Sequence, residues 1–437
     1  NKILGYEKLY AGPDWIESVA LVGDPYDSGI STVITNEYIA QIMDAYGVED
    51  INQQYSGSNT FDDFMRDQIN NGISYLNYRG FYGFSGFTDS DVSQLNNGFK
   101  LPFLTTLTCD TGSFNTDVSC ISESLLRAGT SVNNPKGAVA VVATAQPYTH
   151  TAFNNIVAMG MYSGIFVYGA QTAGEALLFG ELALGQAYPQ NPNNNVYYFS
   201  AWNSLMGDPS TMLWTDTPRV LLSEHLSVIS ASDDFLQVSV LDQNDEPVEG
   251  ANVNLSGRGN FINSKTDMSG IAYVPLDTFF TGSQNDETLT VTVTCHDCLY
   301  SESEVVINNS TYLPQLDVSS ISIDDSGSIV SDGLLNPGET VDLSFSLQNS
   351  SSDSFSELSI SINSSDLSVT ADTFYLTNLE PGGSENVSFE VALPGEILPD
   401  DEPLFYVSIY DSESAVESHQ LLPLEIYSGL VNINLSM

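Results

Sequence analysis

Cys109 is a candidate nucleophile of this chain, although a lone cysteine is more often a small buried apolar residue. It follows the apolar segment Leu101 to Thr108 and precedes Asp110-Thr111-Gly112, so we expect its side chain at the end of a buried strand. A thiolate attacks carbonyl carbon, and the backbone amides of Asp110, Thr111 and Gly112 could form the oxyanion hole. Catalysis also needs a base, because an ordinary thiol is mostly protonated at neutral pH.

A second pair of cysteines points to structure rather than chemistry. Cys295 and Cys298 enclose His296 and Asp297 in a segment with β-type alternation. This segment lacks the βαβ context of a redox site and the second ligand pair of a zinc site. The spacing favours a local disulfide near a strand end, and no metal ligand set is assigned.

The elements that would position Cys109 alternate between strand and helix from Trp15 to about Trp214. Strands are predicted at Ser18 to Val22, Ile73 to Tyr78, Leu101 to Thr108 and Ala138 to Thr144. Helices are predicted at Thr35 to Tyr46, Phe61 to Gln68 and Ile121 to Ala128. Such alternation is typical of an α/β domain with a mostly parallel sheet flanked by helices.

The pattern changes after Pro218 to period-2 alternation with turn residues every eight to twelve positions. This spacing is typical of antiparallel β-sandwiches. A second all-β segment begins near Leu316, and the stretch around Pro314 is the expected linker. The chain therefore divides into an α/β domain at 1–217 and two β-sandwich domains at 218–313 and 314–437.

Three stretches of the α/β segment resemble the gingipain family of cysteine peptidases, peptidase family C25. They are NGISYLNYRGFYGFSGF at 71–87, KLPFLTTLTCDTGSF at 100–114 and PKGAVAVVAT at 135–144. The resemblance covers about residues 1–215. It implies a caspase-like fold, followed by an immunoglobulin-like sandwich, with the nucleophile at Cys109. The family's catalytic unit has an additional α/β half upstream of the segment that matches Lys2 to Lys8, so we expect either that the chain was cut there or that this half is a separate piece.

The family's catalytic histidine is missing at its usual place. The family has an Asn-Tyr-x-Gly-His-Gly turn, and Gly80 is followed here by Phe81, which cannot take a proton. His150 follows the next strand, where the family has an aromatic wall of the substrate pocket. It is therefore either a relocated base or a pocket-lining residue without a catalytic role. Asp24 lies near the position of the family's acid that orients the histidine, a role that has no evident recipient when Phe81 replaces that histidine.

Two further positions are interpreted through the same resemblance. Ser31 or Thr32 stands where the arginine-specific members carry an acid in the substrate pocket, so trypsin-like specificity is not supported. Cys120 matches a structural cysteine that begins a helix, and we expect no bond between Cys109 and Cys120.

The charge of the chain excludes several classes of partner. Asp and Glu number 56 against 10 Lys and Arg, a formal net charge of -46, and the last cation is Lys265. Such a polyanion repels nucleic acid and anionic membrane surfaces, and no segment is apolar enough for membrane insertion. The charge indicates solubility in salty water, as for a secreted or cell-surface protein of a marine or saline bacterium. The minority interpretation is Ca²⁺ binding by part of the acidic surface, and no cofactor is required.

Two functions remain open on these observations. The first is an inactive peptidase homologue that serves as an extracellular or cell-surface scaffold, favoured by Phe81. The second is an active cysteine endopeptidase with Cys109 as nucleophile and His150 as base. The expected partners are a protein or peptide, or, in an assembly, the cleaved N-terminal half of the protein or other copies of it.

Overall fold

The computed structural model describes residues 1–56, 61–115, 118–129, 134–147, 149–230, 232–280, 287–308, 313–328, 331–365, 367–395 and 403–426. These residues form two compact units. Unit 1 comprises Asn1–Arg219 together with His296–Leu299. Unit 2 comprises Val220–Cys295 and the described residues from Tyr300 onward.

Unit 1 alternates helices and strands along the chain. Its elements are α1 (Lys2–Glu7), β1 (Ser18–Gly23), α2 (Ser31–Tyr46), β2 (Asp50–Gln54), α3 (Phe61–Asn71), β3 (Tyr75–Arg79), α4 (Asp89–Gln94), β4 (Phe103–Thr106), α5 (Ile121–Arg127), β5 (Ala140–Thr144), α6 (Thr151–Phe166), α7 (Ala173–Ala187), a 3-10 turn (Pro192–Asn194), α8 (Asn195–Trp202) and β6 (Asn203–Met206). The predicted α/β class is confirmed.

One six-stranded sheet runs through unit 1 in the order β2-β1-β3-β4-β5-β6. The first five strands are parallel, and β6 is antiparallel to β5. The central strands are buried on both faces, which explains why they are almost continuously apolar in sequence. All seven strands and helices predicted in this unit are present, with ends that differ by a few residues.

Successive residues of β3 point into two different cores. Tyr75 packs with Phe103 and the helices that include α2 and α6, whereas Leu76 packs with Leu104 on the side of α3 and α5. The helices therefore cover both faces of the sheet. The parallel strands all end at one edge, which is where a site is expected in this architecture.

Helices α6 and α7 approach each other closely along a seam of glycines. A Cβ atom on Gly160 would lie 2.5 Å from the Cβ of Ala183, and one on Gly164 would lie 2.5 Å from the Cβ of Phe179. A Cβ on Gly180 would lie 2.7 Å from the carbonyl oxygen of Val157. Only glycine allows this approach at the three positions.

Unit 2 is built of strands. They are β7 (Arg219–His225, whose first residue belongs to unit 1), β8 (Val228–Ser230), β9 (Phe235–Asp242), β10 (Asn252–Gly257), β11 (Asn260–Lys265), β12 (Ile271–Pro275), β13 (Glu287–Thr294), β15 (Ser301–Asn308), β16 (Gln315–Asp324), β17 (Thr340–Gln348), β18 (Leu358–Ser364), β19 (Phe374–Leu376), β20 (Ser384–Ala392), β21 (Phe405–Asp411) and β22 (Val416–Leu421). Between β13 and β15, the short strand β14 (Cys298–Leu299) belongs to unit 1.

The strands of unit 2 form two groups of sheets, one before and one after residue 314 in the chain. The first part has a sheet in the order β11-β10-β13-β15-β8 and a sheet that contains β12, β9 and β7. The second part has sheets in the orders β16-β17-β20 and β19-β18-β21-β22, around a core that includes Leu343, Phe345, Ile360 and Val407. Inward and outward residues alternate along β10 and β20, as in half-buried strands. The boundary at 313/314 stays a prediction.

The helices in the described part of the chain are all too short or too polar to cross a membrane.

Candidate active site

Four loops meet at the carboxyl edge of the parallel strands in unit 1. Asp24 follows β1, the Gly80-Phe81 pair follows β3, Cys109 follows β4, and His150 lies six residues beyond the end of β5. Because neighbouring parallel strands end at the same edge, this placement gathers the residues singled out from sequence. The contacts at this edge decide which of them can act together.

The sulfur of Cys109 lies against Thr149. The side chain of Cys109 is 5% exposed. Its Sγ accepts a hydrogen bond from the Thr149 N–H at 3.3 Å and lies 3.1 Å from the Thr149 hydroxyl oxygen. The Gly83 N–H donates to the Cys109 carbonyl at 3.0 Å and ties the loop after β3 to the loop after β4. Cys109 thus lies at a strand end, as predicted.

The amides predicted to form an oxyanion hole are engaged within the protein. The Asp110 N–H donates to Gln146, the Thr111 N–H to Thr108, and the Gly112 N–H to Thr144, all at main-chain carbonyls. These amides would have to leave those carbonyls before they could bind an oxyanion. The oxyanion hole stays a prediction, and these hydrogen bonds do not favour it.

The loop after Cys109 is also fixed by side chains. Asp110 has a left-handed backbone, with φ of +70°, and its carboxylate accepts from the Tyr82 hydroxyl at 2.9 Å. The Ser113 hydroxyl donates to the same carboxylate and to the Ala145 carbonyl. A Cβ on Gly112 would lie 3.0 Å from the Ala143 side chain, so the loop passes close to β5.

Phe81 occupies the turn after β3 with half of its side chain exposed. A Cβ on the preceding Gly80 would lie 2.2 Å from the Tyr78 hydroxyl oxygen, so that position has no room for a side chain. The turn therefore presents an aromatic ring at the edge that also carries Cys109.

His150 caps helix α6 instead of contacting the sulfur. Its Nδ1 accepts a hydrogen bond from the Ala152 N–H at 3.2 Å, and its ring meets the edge of Phe153. Within the described residues, the hydrogen-bond contacts of the Cys109 sulfur are with Thr149. His150 is exposed at this edge, next in the chain to the residue that holds the sulfur.

Asp24 fastens two loops together. Its carboxylate accepts from the Tyr26 N–H and from the Ser85 hydroxyl, both at 2.9 Å. In the described residues these partners are not histidines, so the orienting role predicted for Asp24 stays a prediction.

Arg79 is a site residue that the sequence reasoning missed. It is the last residue of β3 and is fully buried. Its Nε and Nη2 both donate to the Asn155 side-chain oxygen, at 2.9 and 2.8 Å. Burial lowers its pKa to about 10, and the Tyr78 and Cys109 side chains oppose that shift. The predicted strand, Ile73 to Tyr78, ended one residue before Arg79, and a charged residue next to so apolar a strand was the available signal.

The other cysteines behave as the sequence suggested. Cys109 and Cys120 are free thiols, which confirms that they are not bonded to each other. Cys120 precedes α5, and burial raises the pKa of its thiol, which disfavours a reactive thiolate. Cys295 and Cys298 are disulfide-bonded, as expected. Across the described residues, no three His, Cys, Asp or Glu side chains cluster as metal ligands.

Comparisons with known proteins support the same picture. Residues 1–214 match the model of peptidase family C25. Gingipain R1 and gingipain R2 of Porphyromonas gingivalis are each 28% identical to this chain over 311 residues, or 67% of it. The chain spans only 29% and 40% of the lengths of those two relatives.

A solved structure shows a similar fold. The crystal structure of the Arg-specific cysteine proteinase gingipain R aligns with a TM-score of 0.61 and 23% identity. The alignment covers 70% of this chain and 71% of that chain. This likeness concerns the fold alone.

Proposed function

Because this chain belongs, through residues 1–214, to peptidase family C25, we propose that it is a gingipain-like peptidase homologue with impaired catalysis. In this proposal it serves as an extracellular or cell-surface scaffold, and the carboxyl edge of its parallel strands still binds peptides. The observation that carries the proposal is Phe81 at the turn where a histidine would activate Cys109.

The contacts around Cys109 support this proposal. The sulfur of Cys109 contacts Thr149, whose side chain is not a general base. His150, the residue predicted as a replacement base, uses its Nδ1 to cap α6. The amides of residues 110–112 are bonded to carbonyls. A thiol that contacts no base, next to amides that are already hydrogen-bonded, is poorly arranged for nucleophilic catalysis.

One observation favours the alternative of an active cysteine endopeptidase. Thr149 contacts the Cys109 sulfur, and His150 is the next residue in the chain. Catalytic hydrogen bonds often tighten only when substrate binds. In this alternative, a movement at the start of α6 brings the His150 imidazole to the Cys109 sulfur. Cys109 would then be the nucleophile, with His150 as its base.

The β region is proposed to support the scaffold role. We interpret 218–313 and 314–437 as two immunoglobulin-like sandwiches. The partner of the proposed scaffold would be a protein or peptide, or other copies of the chain. Acidic loops of this region are candidate sites for a structural Ca²⁺ ion, since carboxylates and carbonyls are its preferred ligands.

Labelling of Cys109 separates the two functions. The full chain is treated with a thiol-reactive peptidyl inhibitor over a pH series, and the modified residue is located by mass spectrometry. Impaired catalysis predicts slow labelling at neutral pH that is lost in Cys109→Ala and unchanged in His150→Ala. Rapid labelling near neutral pH that both variants abolish would overturn the scaffold proposal and establish the alternative.

A further inference from the structure

The guanidinium of Arg79 is buried without an anionic partner in the described part of the chain. Its Nη1 is shielded from solvent and has no hydrogen-bond partner there. Its other nitrogens bond to neutral oxygens, those of Asn155 and, weakly at 3.4 Å, the Thr151 carbonyl. Arginine is almost never fully buried unless it is paired, because burial of an uncompensated charge is costly. The ionisable groups that act on the guanidinium are the Tyr78 phenol and the Cys109 thiol, so among the described residues no carboxylate pairs with it.

The position of Arg79 is one where folds of this type bind ligands. From β1 the chain continues to β2 on one side, while β3 pairs on the other, so the strand order reverses between β1 and β3. A crevice outside the carboxyl ends of the strands at such a point is the usual ligand site. Arg79 ends β3 at that point.

Two helices of 16 residues begin beside this guanidinium. Thr151 is the first residue of α6, and Asn155 lies in its second turn. The Asn155 side-chain amide reaches the carbonyl of Ser31, the first residue of α2, at 3.5 Å. Helix N-termini carry partial positive charge, so both helices add to the attraction that Arg79 exerts on an anion.

Exposed aromatic side chains occupy the loops that follow the strands at this edge. Phe81 and Tyr82 follow β3 and are 50% and 56% exposed, and Phe114, beyond β4, is 58% exposed. Exposed aromatic side chains are common anchors in surfaces that bind peptides. The combination suits a ligand with both apolar groups and an acid.

We propose that this edge of unit 1 binds a peptide segment through an aspartate or glutamate side chain, whose carboxylate pairs with the free Nη1 of Arg79. The inference rests on the proposed function and specifies its ligand class. The 3.4 Å contact from Nη2 to the Thr151 carbonyl is long for a hydrogen bond, so its loss on entry of a carboxylate would cost little. Arg79 is then the residue that determines specificity.

The net charge of -46 opposes the approach of an acidic ligand at long range. Salt screens that repulsion over about 10 Å, whereas it screens a buried ion pair much less. Binding through Arg79 is therefore expected to hold or strengthen as sodium chloride rises. Binding by exposed lysines or arginines would weaken instead.

Binding of a matched set of blocked tetrapeptides to the full chain tests the proposal. The probes are acetyl-Ala-Phe-Xaa-Ala-amide with Xaa as Glu, Asp, Gln, Asn or Arg, measured by calorimetry and checked by mass spectrometry for cleavage. We expect the better acidic peptide to bind about tenfold tighter than its own amide. Equal binding of acid and amide, tighter binding of the Arg peptide, or no binding up to about 1 mM would overturn the proposal.

Variants of the protein assign the preference to one residue. Arg79→Met is expected to abolish the difference between acid and amide, and Arg127→Met in α5 serves as the control that keeps it. A difference that survives Arg79→Met would overturn the assignment. If Arg79→Met does not fold, the comparison of acid with amide on the unaltered protein still decides. Cleavage of the acidic peptide would overturn the proposal of impaired catalysis but not the preference for an acidic side chain. Equal binding of acid and amide without cleavage would overturn the preference but not the proposal of impaired catalysis.

Discussion

Asp233 is expected to make the stability of unit 2 fall as the pH rises through neutrality. It lies between β8 and β9 and is 4% exposed. Its two carboxylate oxygens accept from the main-chain N–H groups of His419 and Ser230, both at 2.6 Å. Burial nevertheless raises the pKa of Asp233 to about 7, against the effect of these hydrogen bonds and of nearby His419. The folded state therefore holds this proton more tightly than the unfolded chain.

The sign and size of the effect follow from that difference in pKa. A group with a raised folded-state pKa contributes stability that is full below its unfolded value, here 3.8, and that is lost as the pH rises through about 7. About three pH units at roughly 1.4 kcal/mol each give about 4 kcal/mol. Burial of neighbouring Asp234 raises its pKa and acts in the same direction.

The assay compares the unaltered chain with Asp233→Asn, whose side chain stays neutral at every pH. All three tryptophans lie in residues 1–219, so tryptophan emission follows unit 1 and a transition seen only by circular dichroism belongs to unit 2. Urea unfolding from pH 4 to 8 should show unit 2 of the unaltered chain losing about 4 kcal/mol relative to the variant. A difference that is flat with pH, or that grows in favour of the unaltered chain, would refute the reasoning. It would mean that the two amide hydrogen bonds outweigh burial.

Three further predictions concern the stability of the two units. Gly137→Ala should destabilise unit 1 by more than about 2 kcal/mol, because the backbone has φ of +90° and the new Cβ would lie 2.1 Å from the Leu125 carbonyl oxygen. Gly12→Ala, with φ of +75° and open space, should cost only about 1 kcal/mol, and equal losses in urea titrations followed by tryptophan emission would contradict this. Because residues 266–437 contain no Lys or Arg, the melting midpoint of unit 2 should rise as sodium chloride increases to about 0.5 M, and a flat or falling midpoint would show that repulsion is not the dominant effect. If Ca²⁺ is a structural ion, a chelator should lower the same midpoint in a thermal melt, and an unchanged midpoint would argue against the ion.

The central strands and several helices of unit 1 were predictable because burial leaves a direct trace in sequence. A parallel strand covered on both faces must be apolar, and β1, β4 and β5 are. The edge strand β2, Asp50–Gln54, escaped prediction because its residues are polar and partly exposed. The antiparallel β6 was not predicted, since its four residues carry little periodicity.

The candidate site was predictable in position but not in its contacts. Sequence placed Cys109 at a strand end and His150 after the next strand, and the structure has them there. Thr149 contacts the Cys109 sulfur, and His150 caps α6. These contacts depend on how loops that are distant in sequence pack together, and no local sequence pattern predicts that packing. Arg79 shows the same limit, because its burial is a property of the packed helices above it rather than of its neighbours in sequence.

The glycine seam between α6 and α7 restricts how the carboxyl edge can move. The side chains of Ala183 and Phe179 fill the spaces beside Gly160 and Gly164. These contacts oppose a sliding movement of α6 along α7. Thr151, at the start of α6, lies outside these contacts, about two and a half turns from Gly160. We therefore expect the first turns of α6, next to His150 and Arg79, to move more readily than the middle of the helix, which packs against α7.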